Sequence, residues 1–518
     1  MRKITITFLT ASSAVVLLTV PPVRADVAAQ MKEAEGFYQA GQYAQAEQTY
    51  LKVVTDANPT AAAEAEAVFR ARRRLPAVYL AANQLSQAQA AVAQLLADYA
   101  EHPRLPHALH EVLDQAQPLK KTQQAGQIYQ KLLAAQPHRS QALWLKMGIA
   151  IANVHLGDDK AVDVALGHIA SEHAADERVA EAFGQVAWAY RKLEQLDKAM
   201  SIYQYVVDHW PAKERAIFSQ RGLIWSHLAL GDEAKARAAT EKLLVDFAKH
   251  KDLAEVVYTT ANEFRGAERY ESAIGLYQYM VDRWPSHEQA LLAQRNTILS
   301  YLALNDDANA QAAMEKLLAG FAGHKDLPEA VHATANAYRS AERHHQACAL
   351  YRYVVDQWPG SARALPSQRF LILSYAALGD EEATQAAIDG LLARFPKDPQ
   401  LLQQTTQLAE NFCRMRMHDH ACQLWRGIMQ NWPQTDQAAS ALMWIAETEV
   451  AALIEADDQT AVQQAVETLI ARYRANPHLS RTLAHIGDEY QGVKQYENAE
   501  AVYRRMIGLG ADPRAIAP

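Results

Sequence analysis

Cysteine is scarce in this sequence, with three in 518 residues. A disulfide framework needs more paired cysteines than that, so a hydrophobic core must hold the fold together. Long apolar runs are also missing beyond residue 25, where no stretch approaches the roughly 20 apolar residues that span a bilayer. We therefore predict no integral membrane segment beyond that point.

An excess of positive charge is absent as well. The chain carries 51 Lys and Arg against 59 Asp and Glu, a net charge of -8. This balance does not favour nucleic acid or an anionic membrane surface as a partner, and we predict no nucleic-acid partner.

Familiar catalytic motifs are missing too. There is no Gly-rich phosphate loop, no Gly-x-Ser-x-Gly elbow, no His-Glu-x-x-His zinc motif and no Cys-x-x-Cys-His haem site. The sequence predicts a protein that is not an enzyme and that uses no cofactor.

The first 25 residues differ from the rest of the chain. Two basic residues precede an apolar stretch at 4–20, and the small residues Val23 and Ala25 stand before position 26. This order predicts a signal peptide at residues 1–25, cleaved after Ala25, with an uncleaved anchor as the alternative. No cysteine near that point could carry a lipid anchor, so the predicted location is periplasmic or secreted.

A fixed internal period of 74 residues dominates the remaining sequence. The segment YQYVVDHWP at 203–211 returns as YQYMVDRWP at 277–285 and as YRYVVDQWP at 351–359. Apolar landmarks keep the same step, with one insertion before the last; they are Leu105, Val179, Leu253, Leu327, Leu401 and Leu479. Stacked repeats form one continuous body, so residues 26–518 are predicted to be a single solenoid.

Each period is predicted to hold two helical hairpins. In the first hairpin, each helix carries a small residue followed three or four positions later by an aromatic residue, and a proline follows the second helix. These residues are Ala187, Tyr190, Ala199, Tyr203 and Pro211. This pattern resembles the tetratricopeptide repeat (TPR). Over residues 30–513 the repeat type is similar to that of exported TPR proteins of the outer-membrane assembly (BamD-like) and Tol-Pal coordinator type. The chain departs from these in its larger number of repeats and in lacking the lipid-anchor cysteine.

The resemblance implies an all-α fold, an α-α superhelix of about thirteen hairpins. In TPR proteins one edge of the first helix of each hairpin, helix A, lines a concave groove. The implied function is a non-enzymatic scaffold or adaptor that binds a protein or peptide, with possible peripheral association with cell-envelope complexes. The alternative is a polysaccharide-binding or export-associated TPR module.

Polar residues on the groove edge of helix A are the candidate ligand residues. Three arginines directly follow the helix-A aromatic, and two asparagines lie three residues before an arginine; the set is Arg191, Asn262, Arg265, Asn336 and Arg339. Arginine presents fixed donors that suit carboxylates or a peptide C-terminus. The alternative is that these arginines pair with Glu181, Glu255 and Glu329 of the same repeats.

The aromatic residues of the second helix, helix B, are predicted to be structural. Tyr203, Val206, Val207 and Trp210 lie at i, i+3, i+4 and i+7, which predicts one packed face that ends at the tryptophan. The tryptophan recurs as Trp284, Trp358 and Trp432. Tyr205, Tyr279 and Tyr353 lie off this stripe and are the candidate platform for sugar rings.

Internal ion pairs are predicted from residues that occur together. Asp208, Asp282 and Asp356 stand in the same three periods as Arg221, Arg295 and Arg369, and both positions lose their charge in neighbouring periods. We therefore predict the pairs Asp208–Arg221, Asp282–Arg295 and Asp356–Arg369, although duplication of the middle units would produce the same pattern.

One cluster has the chemistry of a zinc site: Cys413, His418, His420 and Cys422. It falls across a hairpin turn, and the two cysteines are not at the same level of an antiparallel hairpin. We predict free thiols and no metal there, with zinc or a Cys413–Cys422 disulfide as alternatives.

Overall fold

The computed structural model describes residues 25–57, 61–100, 102–135, 137–474 and 479–509. The predicted signal peptide therefore lies outside the described residues, apart from Ala25. By its internal contacts the chain divides into two compact units, residues 1–280 and 281–518. Among the described residues, no helix is both long enough and apolar enough to span a bilayer.

The described ranges contain 26 helices and no strand. The first fourteen are α1 Ala25–Gln39, α2 Tyr43–Asp56, α3 Ala62–Ala81, α4 Leu85–Asp98, α5 Leu105–Ala116, α6 Thr122–Ala134, α7 Arg139–Leu156, α8 Asp159–His173, α9 Val179–Lys192, α10 Leu196–His209, α11 Ala216–Ala229, α12 Glu233–Asp246, α13 Leu253–Gly266 and α14 Tyr270–Arg283. The others are α15 Ala290–Ala303, α16 Asp307–Gly320, α17 Leu327–Ser340, α18 His344–Gln357, α19 Ala364–Leu378, α20 Glu381–Arg394, α21 Leu401–Arg414, α22 His418–Asn431, α23 Asp436–Glu455, α24 Gln459–Tyr473, α25 Leu479–Gly492 and α26 Tyr496–Gly508.

Consecutive helices pair as hairpins, each an odd-numbered helix A followed by an even-numbered helix B. Within the described residues there are thirteen such pairs, so the predicted all-α, TPR-like solenoid of about thirteen hairpins is confirmed. The six apolar landmarks are each the first residue of a helix A, and all six are buried. They anchor the start of these six helices in the core.

Every turn from helix A to helix B contains one residue in the left-handed region, with φ from +56 to +74°. These residues are Gly41, Asn83, Lys120, Gly157, Glu194, Gly231, Glu268, Asn305, Glu342, Gly379, Arg416, Asp457 and Lys494. From Asn83 to Arg416 they are 37 residues apart, so the backbone repeat is one hairpin of 37 residues. The 74-residue period of the sequence comprises two hairpins of equal length but different side chains.

The two kinds of hairpin differ in how helix B begins. In the second kind, apart from α3–α4 with Gln84 at this position, an aspartate side chain accepts a hydrogen bond from the backbone N–H three residues later, as Asp232 does from Lys235 at 3.0 Å. The aspartates with this role are Asp158, Asp232, Asp306, Asp380 and Asp458. Such caps satisfy an N–H group that the helix leaves unpaired. In the first kind the residue before helix B, such as Gln195, makes no such bond.

A buried glutamine joins the two helices in three hairpins of the second kind, α11–α12, α15–α16 and α19–α20. Its Nε2 donates to a backbone carbonyl of helix B, from Gln220 to Ala239, from Gln294 to Ala313 and from Gln368 to Ala387, at 2.6 to 2.7 Å. These glutamines precede the arginines of the predicted ion pairs, so their recurrence has a structural cause.

The predicted helix-B stripe begins in the core and ends at its edge. Tyr203 and Val206 are buried on α10, whereas Val207 and Trp210 are half-buried. Tyr203 packs against Gly222 of α11, where a Cβ atom would come within 2.7 Å of the ring. Trp210 follows the last residue of α10 and lies edge-on against Phe183, with ring centres 4.8 Å apart. Trp284, Trp358 and Trp432 follow α14, α18 and α22 in the same way.

The predicted ion pair Asp208–Arg221 is wrong. Arg221 Nε lies 3.2 Å from Glu263 Oε1 of α13, and Asp208 is exposed and accepts a hydrogen bond from Gln204 at 2.7 Å. The aspartate lies on the solvent side of helix B, whereas the arginine lies on the half-buried face of helix A.

The other two predicted pairs are wrong for the same reason. Asp356 pairs with Arg394 at 2.6 Å, and Arg369 Nη1 donates to Gln407 Oε1 at 2.6 Å. Arg295 Nη2 donates to Asn296 Oδ1 at 3.3 Å, and no ion pair joins Arg295 to Asp282 among the described residues. The joint occurrence of the charges reflects the likeness of the middle repeats.

Candidate functional site

In the first unit, Arg191 belongs to an arginine and aromatic cluster on helices A. Its guanidinium lies over the Trp225 ring, 3.8 Å from the ring centre, so its planar face is covered by a cation–π contact. A cavity of about 240 Å³ adjoins it between α9 and α11, with Arg191, Trp188, Phe218 and Arg221 in its wall. The cavity combines apolar walls with cationic donors, a composition suited to an amphipathic ligand.

The protein supplies its own carboxylate to this cluster. Glu263 pairs with Arg221 across α11 and α13. Burial raises the pKa of Glu263, while the charges of Arg221 and Arg191 oppose that rise. The charges of both arginines therefore act on one carboxyl group, and Arg221 alone forms an ion pair with it.

In the second unit the same arrangement lacks its carboxylate. Arg339 of α17 and Arg369 of α19 lie 4.8 Å and 4.5 Å from the ring centre of Phe370. Burial and the nearby charge of Arg339 lower the pKa of Arg369. Among the described residues neither arginine has an ion-pair partner, and the Nε atom of each is buried without a hydrogen bond.

The position that matches Glu263, two periods further on, is Asn411 of α21. Asn411 Oδ1 accepts a hydrogen bond from Arg414 at 2.8 Å, so its amide is turned to its own helix. Arg369 instead donates a hydrogen bond to the neutral side chain of Gln407. The second unit thus has a neutral amide at the position of Glu263, and the hydrogen-bond partner of Arg369 is a neutral amide as well.

The two candidate asparagines have a structural role within their hairpins. The hydroxyl of Tyr277 donates to Asn262 Oδ1 at 2.5 Å, and that of Tyr351 donates to Asn336 Oδ1 at 2.6 Å. The same contact joins Tyr503 to Asp488 at 2.6 Å. These bonds cross from helix B to helix A, so the asparagines fix the tyrosines.

The third arginine of the predicted set, Arg265, and the alternative glutamate pairing remain to be placed. Arg265 is half-buried and its Nε atom has no hydrogen-bond partner among the described residues. The alternative pairing with glutamates of the same repeat does not occur for the other two, because Glu181 lies 3.9 Å from Arg215 and Glu329 pairs with Arg363.

The tyrosines proposed as a sugar platform are half-buried rather than open. Tyr205 stacks between Phe183, at 5.4 Å, and His209, at 3.9 Å between ring centres. Tyr353 lies edge-on against Trp358 at 5.3 Å, and Tyr279 is also half-buried. The Tyr205 ring is therefore already stacked on two aromatic rings of the protein.

The Cys and His residues of the possible zinc cluster do not converge. Cys413 and His418 line a cavity of about 550 Å³ in the second unit, whereas His420 Nε2 lies 3.2 Å from Glu381. Cys413, Cys422 and Cys348 are free thiols, so the alternative Cys413–Cys422 disulfide is not formed. Burial raises the pKa of Cys422 to about 11, which keeps that thiol protonated.

Sequence reasoning missed a group that the fold does bring together. His110, Asp114 and His155 place their ligand atoms within 4.8 Å of one another in the first unit. The sequence signal was the i, i+4 spacing of His110 and Asp114 on one helix face, but His155 comes from the next helix A.

No protein-family model matches this chain, and no curated protein matches it. Solved structures with a similar arrangement include a chain of Naa15/Naa10 bound to HypK-THB, at 12% identity, TM-score 0.31, covering 93% of this chain and 75% of that chain. Pseudomonas aeruginosa pilF is similar at 15% identity and TM-score 0.26, over 43% of this chain and 95% of that one. The C-terminal part of a TPR repeat-containing protein from Cytophaga hutchinsonii is similar at 15% identity and TM-score 0.31, over 50% and 98%. At these low TM-scores the assignment of the architecture rests on the hairpins of the chain itself.

Proposed function

We propose that this protein is a non-enzymatic scaffold or adaptor that binds a protein or peptide partner through the arginines of its helices A. The partner presents a carboxylate, either an acidic side chain or a peptide C-terminus, to Arg339 and Arg369 in the second unit. The adaptor works in the bacterial cell envelope, a part of the proposal that rests on the signal-peptide pattern of residues 1–25.

The observation that carries the proposal is the difference between two equivalent arginine pairs. Arg221 pairs with Glu263 and the charge of Arg191 acts on the same carboxyl group, whereas among the described residues neither Arg339 nor Arg369 pairs with a carboxylate. A half-buried guanidinium without an anion is unfavourable, because desolvation is not offset by a charge-assisted hydrogen bond. A ligand carboxylate would supply the missing group.

The geometry of Phe370 favours a carboxylate ligand further. Its ring lies beside both guanidinium groups and limits their rotation, so the donors are held before a ligand arrives. Preorganised arginines lose little side-chain entropy on binding, and each charge-assisted hydrogen bond contributes roughly 1.5 to 3 kcal/mol.

The proposal is tested with a fluorescein-labelled acidic decapeptide of Glu, Asp and Ala, and with a counterpart that carries Lys at every acidic position. Fluorescence anisotropy should show binding of the acidic peptide alone, weakened at least tenfold by the double change Arg339→Gln and Arg369→Gln. Arg426→Gln is the matched control, because Arg426 is exposed and already paired with Glu449. Affinity should fall with rising salt.

A second variant makes the test sharper. Asn411→Glu should place a carboxylate where Glu263 lies in the first unit, and so block the acidic peptide without removing an arginine. Equal binding of the acidic and basic peptides, or wild-type affinity in both Asn411→Glu and the double arginine variant, would contradict the proposal. Mass spectrometry of proteins that co-purify from the native envelope, with the same variants, then identifies the partner.

A further inference from the structure

Three helices A of the first unit, α5, α7 and α9, contact one another around a buried histidine pair. His110 comes from α5 and His155 from α7, and their rings lie edge to face with centres 6.5 Å apart. Asp114, one turn after His110 on α5, lies between them. The group joins two hairpins that are consecutive in the chain.

The donor atoms have the spacing of metal ligands. His110 Nε2 and His155 Nε2 lie 3.5 Å and 3.4 Å from the same atom, Asp114 Oδ1. Zinc bonds of about 2.0 to 2.2 Å at tetrahedral angles place neighbouring ligand atoms roughly 3.3 Å apart. All three atoms lie within 4.8 Å of one another, so a small ring rotation closes the third edge.

The two histidines are buried, and each places Nε2 at ion-pair distance from Asp114 Oδ1 without the geometry of a hydrogen bond. The side chains are 0% and 1% exposed, and neither Nε2 atom makes a hydrogen bond. A buried polar atom without a partner is rare, because its desolvation is not compensated. Two such atoms directed at one carboxylate oxygen indicate that a ligand belongs among them.

The surrounding side chains fix the orientation of His110 and occupy one of the two carboxylate oxygens of Asp114. His110 Nδ1 lies 3.1 Å from Gln185 Oε1, which fixes the ring with Nε2 free for a metal. Trp188 covers the ring edge-on at 4.5 Å. The other oxygen of Asp114 accepts from Lys192 Nζ at 2.7 Å, so one carboxylate oxygen remains for a cation. The lysine side chain is 41% exposed and can move away into solvent.

We propose that His110, Asp114 and His155 bind a divalent transition metal, with Zn²⁺ as the best fit to two imidazoles and one carboxylate. Three protein ligands leave a fourth position for water, on the side where Asp114 reaches solvent. The metal links α5 to α7, and through Gln185 it also restrains α9. Its role is to hold consecutive hairpins together, and it does not depend on the carboxylate site of the second unit.

The test uses the full chain without a polyhistidine tag, stripped with EDTA, and Zn²⁺ alone as the probe. Calorimetric titration should show a site that is lost, or weakened at least tenfold, in Asp114→Asn and in His155→Gln. His107→Gln is the matched control, because His107 is on the same helix and contacts the same Trp188 ring but is exposed. Co²⁺ should give the intense visible absorption of a tetrahedral site in the wild type and in His107→Gln only.

Lys192→Met gives an independent readout. Removing the ammonium group from Asp114 should tighten Zn²⁺ binding, since the metal no longer competes with a neighbouring positive charge. Circular dichroism checks the fold of each variant; Asp114→Asn, nearly isosteric and partly exposed, decides the matter if His155→Gln does not fold. The proposal is overturned if the wild type binds no Zn²⁺, or if Asp114→Asn binds Zn²⁺ as tightly as the wild type does.

Discussion

Arg221 of α11 and Glu263 of α13 form an ion pair between two hairpins, with Nε and Oε1 3.2 Å apart. Their side chains are 28% and 14% exposed, so the pair is screened only in part. Since the residues are 42 positions apart, the bond joins one hairpin to the next.

Breaking this pair should destabilise the protein. Glu263→Ala leaves Arg221 half-buried without an anion, and we expect a loss of about 1 to 3 kcal/mol in the free energy of unfolding. Denaturant unfolding of Glu263→Ala, Arg221→Met and the double variant measures the coupling energy. Asp208→Ala is the control: the exposed aspartate should change stability by less than about 0.5 kcal/mol. A larger effect of Asp208→Ala than of Glu263→Ala would contradict the observed pairing.

The bond between the Tyr351 hydroxyl and Asn336 should stabilise its hairpin by about 1 kcal/mol. Tyr351→Phe keeps the ring and removes the hydroxyl, so urea unfolding of this variant isolates the bond. Tyr353→Phe, two residues away on a half-buried ring, should have little effect. If the two phenylalanine variants unfold at the same urea concentration as the wild type, the bond makes no net contribution.

The left-handed residue at each hairpin turn predicts stabilising substitutions. Glu342 is exposed and has φ +60°, a conformation that a residue with a side chain adopts at a cost of about 1 to 2 kcal/mol. Glu342→Gly should raise stability by about 0.5 to 1 kcal/mol, after the greater backbone entropy of glycine in the unfolded chain is counted. The matched reverse change, Gly379→Ala at φ +69°, should lower stability. Thermal unfolding of the two variants should shift the midpoint in opposite directions.

The stability of the second unit should depend on pH through His332 of α17. This histidine is buried, and its Nδ1 lies 2.8 Å from Ser367 Oγ. Burial, aided by the charge of Arg363, lowers the pKa of His332 to about 4. In the unfolded chain a histidine has a pKa of about 6.5 and binds a proton more readily. The stability that the folded protein gains from neutral His332 is therefore complete above pH 6.5 and is lost as pH falls toward 4.

The comparison with His332→Gln separates the titration of His332 from that of the carboxylates, which titrate below pH 5. Relative to this variant, the wild type should lose about 1 to 3 kcal/mol of stability between pH 7 and pH 4. A difference between the two proteins that stays constant over this range would show that His332 does not titrate as expected.

The sequence predicted the repeat well because buried residues keep a strict spacing. Leu253 and Leu327 are landmarks in the sequence, and in the structure each is the buried first residue of a helix. It could not reveal that both hairpins have the same length, because their turns use Glu268 in one kind and Gly231 in the other for the same backbone conformation.

The candidate site was predictable only in part. Arg191 and Arg339 are on the half-buried faces of their helices, but their neighbours come from later hairpins. The partner of Arg221 could not be found by comparing repeats, since near-copies of one unit share residues whether or not these residues touch. His155 was missed because its approach to Asp114 depends on how α7 packs against α5.

The regular 37-residue step has a consequence for how this chain can change in length. Removing one hairpin would bring two hairpins of the same kind together. It would also separate side chains that bond one kind of hairpin to the other, as Arg221 and Glu263 do. Removing residues 327–400 would instead connect α16 to α21 and restore the original alternation. The shortest segment that can be lost or gained while the two kinds of hairpin still alternate is therefore a pair of hairpins, so the protein is expected to vary in size in discrete steps of 74 residues.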